Sequence, residues 1–208
     1  MFNINPFAEL SGLIPPIAMQ IYVILMALLV VGGTLLDTIH KKSAQYFFEN
    51  SEKQKKMASR EVSGGEKVGI AIKTVAEDVL TSAEFCNQKR RVAHLLTMYG
   101  FILFVVSTAV MIFGYADSAN AAAWPLLWHL GALMVCVGGY WFWFFIRVDV
   151  AAEGNPWYRV VRADLFILAL LATTTFALLW SVFGAIYFFV PFIAAATVLF
   201  GTVLWSKF

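Results

Sequence analysis

Five long apolar segments, at 17–36, 95–114, 124–146, 163–183 and 185–205, constrain the fold of this chain more than any other feature. Asp164, at the edge of the fourth segment, is the only charged residue in them. Each segment can cross a hydrocarbon core of about 30 Å at about 1.5 Å per residue. Because backbone groups within lipid must hydrogen-bond internally, the segments are predicted to be helices. The sequence therefore predicts an all-α integral membrane protein, with residues 1–208 forming a single five-helix domain.

The composition and the missing sequence motifs argue against several classes of function. Charged residues make up 13% of the chain, against about 25% in soluble domains. The net charge of +2 gives no indication of a nucleic-acid partner. The sequence contains no glycine-rich phosphate loop, no cysteine cluster for an iron–sulfur centre and no nucleophile with a histidine nearby. We therefore expect the chain to be non-catalytic alone, so that any electrons it carries come from another subunit.

The positions of the cations predict the orientation. All 15 Lys and Arg residues fall in 41–93, in 147–162 or at position 207. The opposite side of a five-span path carries only Glu9 and Asp117 as charged residues. By the positive-inside rule, the N-terminus lies outside and the C-terminus inside a cell's inner membrane. The segment 41–93 is then the largest cytosolic part of the chain.

An amphipathic pattern marks the second half of that cytosolic segment. Apolar residues recur at spacings of 4, 3 and 4 at Val68, Ile72, Val75 and Val79, and Leu80 lies beside them. Charged residues lie on the opposite face. This spacing predicts one face of a helix. The helix either lies at the lipid headgroup boundary or offers a docking surface to a soluble partner, and the two interpretations are compatible. A turn is predicted before it at Ser63-Gly64-Gly65.

Two histidines are predicted at the cytosolic boundary of the membrane. His40 follows the first span and His94 precedes the second. Two imidazoles at one depth on two helices can ligate a single haem b iron from opposite faces. Arg90 and Arg91, next to His94, suit haem propionates because guanidinium pairs with carboxylate in bidentate fashion. A solvated histidine, and arginines that only anchor the helix in the headgroup region, are the plainer alternatives.

His129 lies near the opposite boundary of the membrane, five residues after the third span begins. Along the membrane normal it is some 20–30 Å from His94, from the helical rise per residue. It cannot share a haem with either of the other histidines. It is predicted to hydrogen-bond either a neighbouring helix or a quinone carbonyl. The seven tryptophans lie mostly near span ends, which is typical of an interfacial aromatic belt.

Two sequence fragments resemble the membrane subunits of quinone-interacting oxidoreductases. The first comprises Glu77-Asp78-Val79-Leu80, Phe85-Cys86, Arg90-Arg91, His94 and Tyr99-Gly100-Phe101; the second is Pro156 to Asp164, which leads into the fourth span. The second fragment is similar to the corresponding part of respiratory nitrate reductase gamma subunits. Residues 77–183 most resemble the membrane subunits that partner dissimilatory adenylylsulfate reductase. Of the four histidines usual in the related cytochrome subunits, only His94 matches, and Phe104 stands where a second would fall.

This resemblance implies a five-helix, nitrate-reductase-gamma-like membrane anchor and electron-transfer subunit. It would link a cytosolic iron–sulfur flavoprotein, adenylylsulfate reductase, to the quinone pool in dissimilatory sulfur metabolism. The expected partner surface is formed by 41–93 with 147–162, and Tyr99 joins His129 as a quinone candidate. A cofactor-free structural anchor is the main alternative. A small transporter has less support, because the sequence shows no inverted repeat and no carboxylate in mid-membrane.

Overall fold

The structure is a computed structural model that describes residues 2–40, 42–58, 63–85, 87–147, 154, 156 and 158–202. All regular secondary structure in these residues is helical. Three shorter helices are α1 (Pro6–Leu10), α3 (Ser43–Met57) and α4 (Gly64–Thr74). Five longer apolar helices are α2 (Pro16–His40), α5 (Gln88–Gly114), α6 (Trp124–Trp141), α7 (Leu165–Phe183) and α8 (Ile186–Gly201). π-helical turns extend α4 through Val75–Leu80 and α6 through Phe142–Ile146, and a 3₁₀ turn, Arg162–Asp164, precedes α7.

Four of these helices are long and apolar enough to cross a membrane: Pro16–His40, Gln88–Gly114, Trp124–Ile146 and Leu165–Phe183. The predicted all-helical, multi-pass membrane character is therefore confirmed. The helix at the predicted fifth span is apolar but has 16 residues. At about 1.5 Å per residue it is shorter than a hydrocarbon core of about 30 Å. The last three residues of the predicted fifth span, 203–205, lie outside the described residues.

The long helices pack as a ring. In chain order α5 packs on α6, α6 on α7 and α7 on α8, while α2 closes the ring by packing on both α8 and α5. The α2 helix is the least buried of the four span-length helices. Tyr22 fixes it to α8, because its hydroxyl donates to the Ile193 carbonyl at 3.2 Å and lies 3.0 Å from Thr197 Oγ1. This ring order places α6 between α5 and α7.

Glycines allow α6 to approach both of its neighbours. A Cβ atom on Gly131 would lie 2.7 Å from the Gly100 carbonyl oxygen, and one on Gly138 would lie 2.7 Å from the Ala93 carbonyl oxygen. The adjacent Gly139 faces α7 instead, where its Cβ would lie 2.7 Å from Leu171 Cδ2. Such small-residue contacts are the usual means of close helix packing in membranes. The Gly138-Gly139 pair thus sets the spacing of α5, α6 and α7.

An aromatic cluster fills the middle of the ring. Trp128 of α6 stacks on Phe104 of α5 with ring centroids 5.2 Å apart, and Trp180 of α7 stacks on Phe192 of α8 at 5.9 Å. Phe7 of α1 contacts both tryptophans edge-on. Trp128, Trp143 and Trp180 are buried, so the predicted aromatic belt is wrong for these three side chains. Trp157 and Trp205 lie outside the described residues.

The two ends of the ring differ in charge. One end of the helix ring, which we call the N-terminal end, contains residues 2–15 and the connection 115–123. Asn5 joins the two by donating to the Tyr115 and Ser118 carbonyls. The turn at Gly184 lies against the same N-terminal residues. Every described Lys and Arg lies at the opposite end, which we call the basic end. It contains α3, α4, the first turn of α5 and the connection between α6 and α7.

The turn predicted at Ser63-Gly64-Gly65 is wrong. Ser63 is the N-cap of α4, with its hydroxyl accepting from the Glu66 amide at 3.3 Å, and both glycines lie in the first turn of the helix. Serine is among the preferred N-cap residues because it satisfies a free amide of that first turn. The amphipathic helix predicted over 68–80 is present as α4 with its π-helical extension.

Candidate functional site: a cavity at the basic end

A cavity of about 410 Å³ lies between α5 and α7 at the basic end. Most of its walls are apolar, and its polar side chains are Arg90, His94 and Thr97, all on α5. On the opposite side are Phe166, Ile167 and Leu170 of α7. The remaining lining residues are Phe85, Ala93, Met98, Phe101 and Phe142. The cavity therefore offers an apolar slot with a few polar groups on one wall.

Helical periodicity explains why one helix supplies all the polar groups. The lining residues of α5 begin at Arg90 and recur at intervals of three or four, ending at Phe101. Residues at this spacing share one helix face. Asn87 caps the helix at this end by accepting from the amides of Lys89 and Arg90. The predicted pair Arg90 and His94 thus lies on one wall of a common cavity, one helical turn apart.

His94 connects this wall to the segment that follows α4. Its Nδ1 atom lies 3.0 Å from Oγ of Ser82, and its ring centroid lies 5.0 Å from that of Phe85. Ser82 is buried and has a φ of 50°, in the left-handed region. When the Ser82 hydroxyl donates, Nδ1 accepts and Nε2 carries the proton. Nε2 is then a hydrogen-bond donor, and no described residue accepts from it.

Two further side chains of α5 hold the same segment. Arg91 Nε donates to the Thr81 carbonyl at 2.7 Å, and the Tyr99 hydroxyl donates to the Leu80 carbonyl at 2.6 Å. These bonds satisfy carbonyls at the end of the α4 extension that have no helical partner. Neither Arg91 nor Tyr99 lines the cavity. The sequence predicted Arg91 as a cofactor-binding residue and Tyr99 as a quinone candidate. In the structure both lie beside the cavity and bond residues 80 and 81 to α5. Together with the His94–Ser82 contact, we call these bonds the clamp.

Arg90 separates two neighbouring hollows. Besides the cavity with His94, it lines a second one of about 380 Å³ with Asn87, Lys89, Phe145 and Ile146. Within the described part of the chain, no carboxylate pairs with Arg90. A guanidinium in this position can bind a carboxylate, a phosphate or a carbonyl oxygen that occupies either hollow.

His40 is not brought to this cavity. It is the last residue of α2, is exposed, and does not line the hollow that contains His94. The lining residues thus include one histidine. Over the described residues, no group of three or more His, Cys, Asp or Glu side chains is placed to hold a metal ion.

His129 lies in the packed interior near the N-terminal end. Its Nδ1 atom is 2.6 Å from the Pro125 carbonyl and its Nε2 atom is 2.6 Å from Ser181 Oγ. A carbonyl only accepts, so Nδ1 carries a proton; in a neutral ring Nε2 then accepts from the Ser181 hydroxyl. The rings of Phe2 and Trp128 pack edge-on against the imidazole at 5.0 Å each. Both ring nitrogens therefore have protein partners, one of them on the neighbouring helix α7.

A buried ion pair at the basic end was missed by the sequence reasoning. Arg147, just after the α6 extension, donates to the Asp164 carboxylate and, at 2.7 Å, to the Arg159 carbonyl. The guanidinium lies 4.0 Å over the Trp143 ring, and the Val161 amide donates to Asp164 at 2.8 Å. Opposite charges at the facing ends of consecutive spans were the available signal. The pair closes the connection between α6 and α7.

The site thus combines an apolar slot of small-molecule size with two polar groups: an imidazole whose Nε2 has no partner among the described residues, and a guanidinium without a carboxylate partner among them. An exposed helical segment is bonded to α5 beside it. Such an arrangement can bind a ring with polar oxygens and hold it at the membrane boundary. Comparison of the chain with models of protein families, with curated proteins and with solved structures finds no match.

Proposed function

We propose that this chain is a membrane anchor and electron-transfer subunit for a soluble oxidoreductase that carries flavin and iron–sulfur centres. It would cross the inner membrane five times and dock the partner at the basic end. Electrons would pass from the partner's iron–sulfur centre to a quinone bound beside His94. The observation that carries the proposal is the cavity lined by His94 and Arg90, next to residues 80–85 at the end of the largely exposed segment 63–85.

The distribution of charge supports the proposed topology. The N-terminal end carries only Glu9 and Asp117 as charged side chains, whereas every described cation lies at the basic end. Basic residues near span ends remain on the cytosolic side. On the proposed topology α8 is the fifth span, and it runs from the N-terminal end towards the cytosolic side.

Exposure supports the proposed docking surface. The residues of α3 and of the α4 extension are nearly all exposed, and they carry charges of both signs. The segment 41–93, which contains both helices, holds 14 of the 15 cations in the chain together with the connection 147–162. A partner on this surface lies within a few residues of the cavity, since Leu80, Thr81 and Ser82 are bonded to α5. By the resemblance over 77–183, adenylylsulfate reductase is the proposed partner.

The lining of the cavity suits a quinone better than a haem. Quinone binding needs hydrogen-bond donors to two carbonyl oxygens and an apolar slot for the ring. The Arg90 guanidinium is one such donor, and Nε2 of His94 is the other when the Ser82 hydroxyl donates to Nδ1. A haem b with two histidine ligands needs a second imidazole, and His40 does not line the cavity. Reduction of a quinone takes two electrons from the partner and two protons, for which the cytosolic boundary is the nearest source. His40 with His94 as haem ligands stays a prediction.

A cofactor-free structural anchor is the second candidate. The observation that favours it is the clamp, because Arg91, Tyr99 and His94 all bond to the 80–82 segment and so have a structural role. On this account the same surface docks the same partner, and the cavity is filled by lipid.

Purification of the chain from native membranes tests docking and redox activity together. We expect the soluble oxidoreductase to co-purify with the full chain and to be lost when residues 43–62 are deleted. Retention of the partner after that deletion, and after charge reversal at Lys89, Arg90 and Arg91, would place the docking surface elsewhere. Partner-dependent reduction of an added quinone distinguishes an electron-transfer subunit from a plain anchor, which would retain the partner without reducing quinone.

A further inference from the structure

The apolar face of α4 and its π-helical extension, which we call the 68–80 face, consists of Val68, Ile72, Val75, Val79 and Leu80. These side chains are apolar, yet they are 50–65% exposed. The π-helical winding of Val75–Leu80 keeps Leu80 near Val75, because residues five apart are neighbours in such a turn. An exposed stripe of this kind marks an interaction surface.

The depth of this face relative to the membrane is set by its hydrogen bonds to α5. The three bonds from Arg91, His94 and Tyr99 hold residues 80–82 against the first three turns of α5. The last cation of α5 is Arg91, and its uncharged stretch begins at 95. Long side chains in a helix point back towards its N-terminus, so the Tyr99 hydroxyl reaches the level of this boundary. The C-terminal end of the face is therefore at the depth where α5 enters hydrocarbon.

The charges of the helix lie on the other side. Glu66, Lys73 and Glu77 face away from the stripe, and Lys73 pairs with Glu77 at 4.0 Å. Residues 64–80 contain the cations Lys67 and Lys73 against three acids, Glu66, Glu77 and Asp78, so the helix has a net charge of −1. Attraction to anionic lipid therefore does not drive binding; burial of apolar area does.

We propose that the 68–80 face lies in the headgroup boundary of the cytosolic leaflet, with its apolar side chains in lipid and Glu66, Lys73 and Glu77 turned to the cytosol. The bilayer covers this face, because hydrogen bonds hold the end of the helix against α5 at the level where α5 enters the membrane. The face therefore lies next to the lipid that surrounds α5. The charged side of the helix, rather than its apolar side, is then what a soluble partner meets. This inference holds whether or not the proposed electron transfer does.

Spin labels in lipid vesicles test this placement with the full chain. In a background with Cys86→Ser and Cys136→Ser, single cysteines are placed at Ile72 and Val75 on the face, and at Lys73 and Glu77 as matched positions on the opposite side. All four side chains are exposed, so labelling leaves the packing intact. In neutral phosphatidylcholine vesicles, labels at 72 and 75 are expected to collide more with dissolved oxygen than with a water-soluble nickel chelate. Labels at 73 and 77 should show the reverse.

Equal nickel accessibility at all four positions would overturn the proposal and leave the face free for a soluble protein. Ile72→Glu with Val75→Glu should make position 79 accessible to nickel, whereas Lys73→Glu with Thr74→Glu should not. The pattern should be unchanged when anionic lipid is added or salt is raised. A pattern that appears only with anionic lipid would contradict insertion through apolar burial.

Discussion

Ser82 Oγ and His94 Nδ1 lie 3.0 Å apart, and this contact joins the exposed amphipathic segment to the wall of the cavity. The same imidazole lines the cavity and contacts the ring of Phe85. A displacement of the segment by a docked partner or by lipid is therefore expected to move both His94 and Phe85 in the cavity wall. The attachment of residues 80–85 to α5 and the orientation of the His94 ring therefore depend on each other.

Removing the Tyr99 hydroxyl should loosen this attachment. Tyr99→Phe deletes the bond to the Leu80 carbonyl at a cost of about 1 kcal/mol, the usual net value of a hydrogen bond. We expect faster amide hydrogen exchange over 77–85, measured by mass spectrometry, with little change in the spans. Tyr46→Phe, at an exposed position of α3, serves as the control. Unchanged exchange in the Tyr99 variant would show that the clamp does not depend on this bond.

The two adjacent glycines of α6 should respond differently to alanine. In Gly138→Ala the new methyl meets the Ala93 backbone and Thr97 Oγ1, which are close to the cavity wall. Overpacking of this kind costs about 1–3 kcal/mol. In Gly139→Ala the new methyl meets only side-chain atoms, of Leu171 and Ile167, which can shift more readily than a backbone. Unfolding in mixed micelles should therefore show a large loss of stability for Gly138→Ala and a small one for Gly139→Ala; equal losses would contradict the packing described.

The buried pair of Arg147 and Asp164 should be sensitive to loss of one partner. Arg147→Ala leaves the Asp164 carboxylate buried without its cation, which costs about 3–5 kcal/mol for a buried pair. Replacing both, as Arg147→Met with Asp164→Leu, removes the unpaired charge and should recover part of that loss. Thermal unfolding in detergent measures each variant. A double variant less stable than Arg147→Ala would show that the network around Asp164, rather than the charge pair, holds the connection.

The bond between His129 and Ser181 should have only a small effect on stability. Hydrogen bonds between membrane helices contribute about 0.6 kcal/mol on average. Ser181→Ala is therefore expected to lower the free energy of unfolding by about that amount, because only the Nε2 partner is lost. Quinone reduction should be unaffected if His129 acts between helices. A clear fall in quinone reduction with unchanged stability would instead favour His129 as a quinone partner.

The spans were predictable because their signal is local. Length and absence of charge identify a membrane helix without reference to its neighbours, and the cores of 17–36, 95–114, 124–146 and 163–183 all lie in long helices. The side of each helix that faces the ring was not predictable, because lipid-facing and ring-facing positions are both apolar. For this reason Trp128 and Trp180 were assigned to the boundary, although both are buried in the aromatic cluster.

The site was predictable in part. The sequence placed Arg90 and Arg91 beside His94, and Arg90 does line a cavity with His94, whereas Arg91 does not. Because His40 and His94 were predicted at the same membrane depth, His40 was the expected second haem ligand. Depth does not determine which side of α2 faces α5, or which helices α2 packs against. The roles of Arg91 and Tyr99 depend on where residues 80–82 return to α5, which no local pattern encodes.

Photolabelling with a reactive quinone analogue tests whether quinone binds in the cavity beside His94. The full chain in vesicles is illuminated with the analogue, and the modified peptides are identified by mass spectrometry. We expect labelling of the cavity walls on α5 and α7, within 90–101 and 166–170. This labelling should be competed by unmodified quinone and should fall sharply in His94→Ala. Labelling confined to the N-terminal end near His129, or labelling unchanged in His94→Ala, would contradict this expectation.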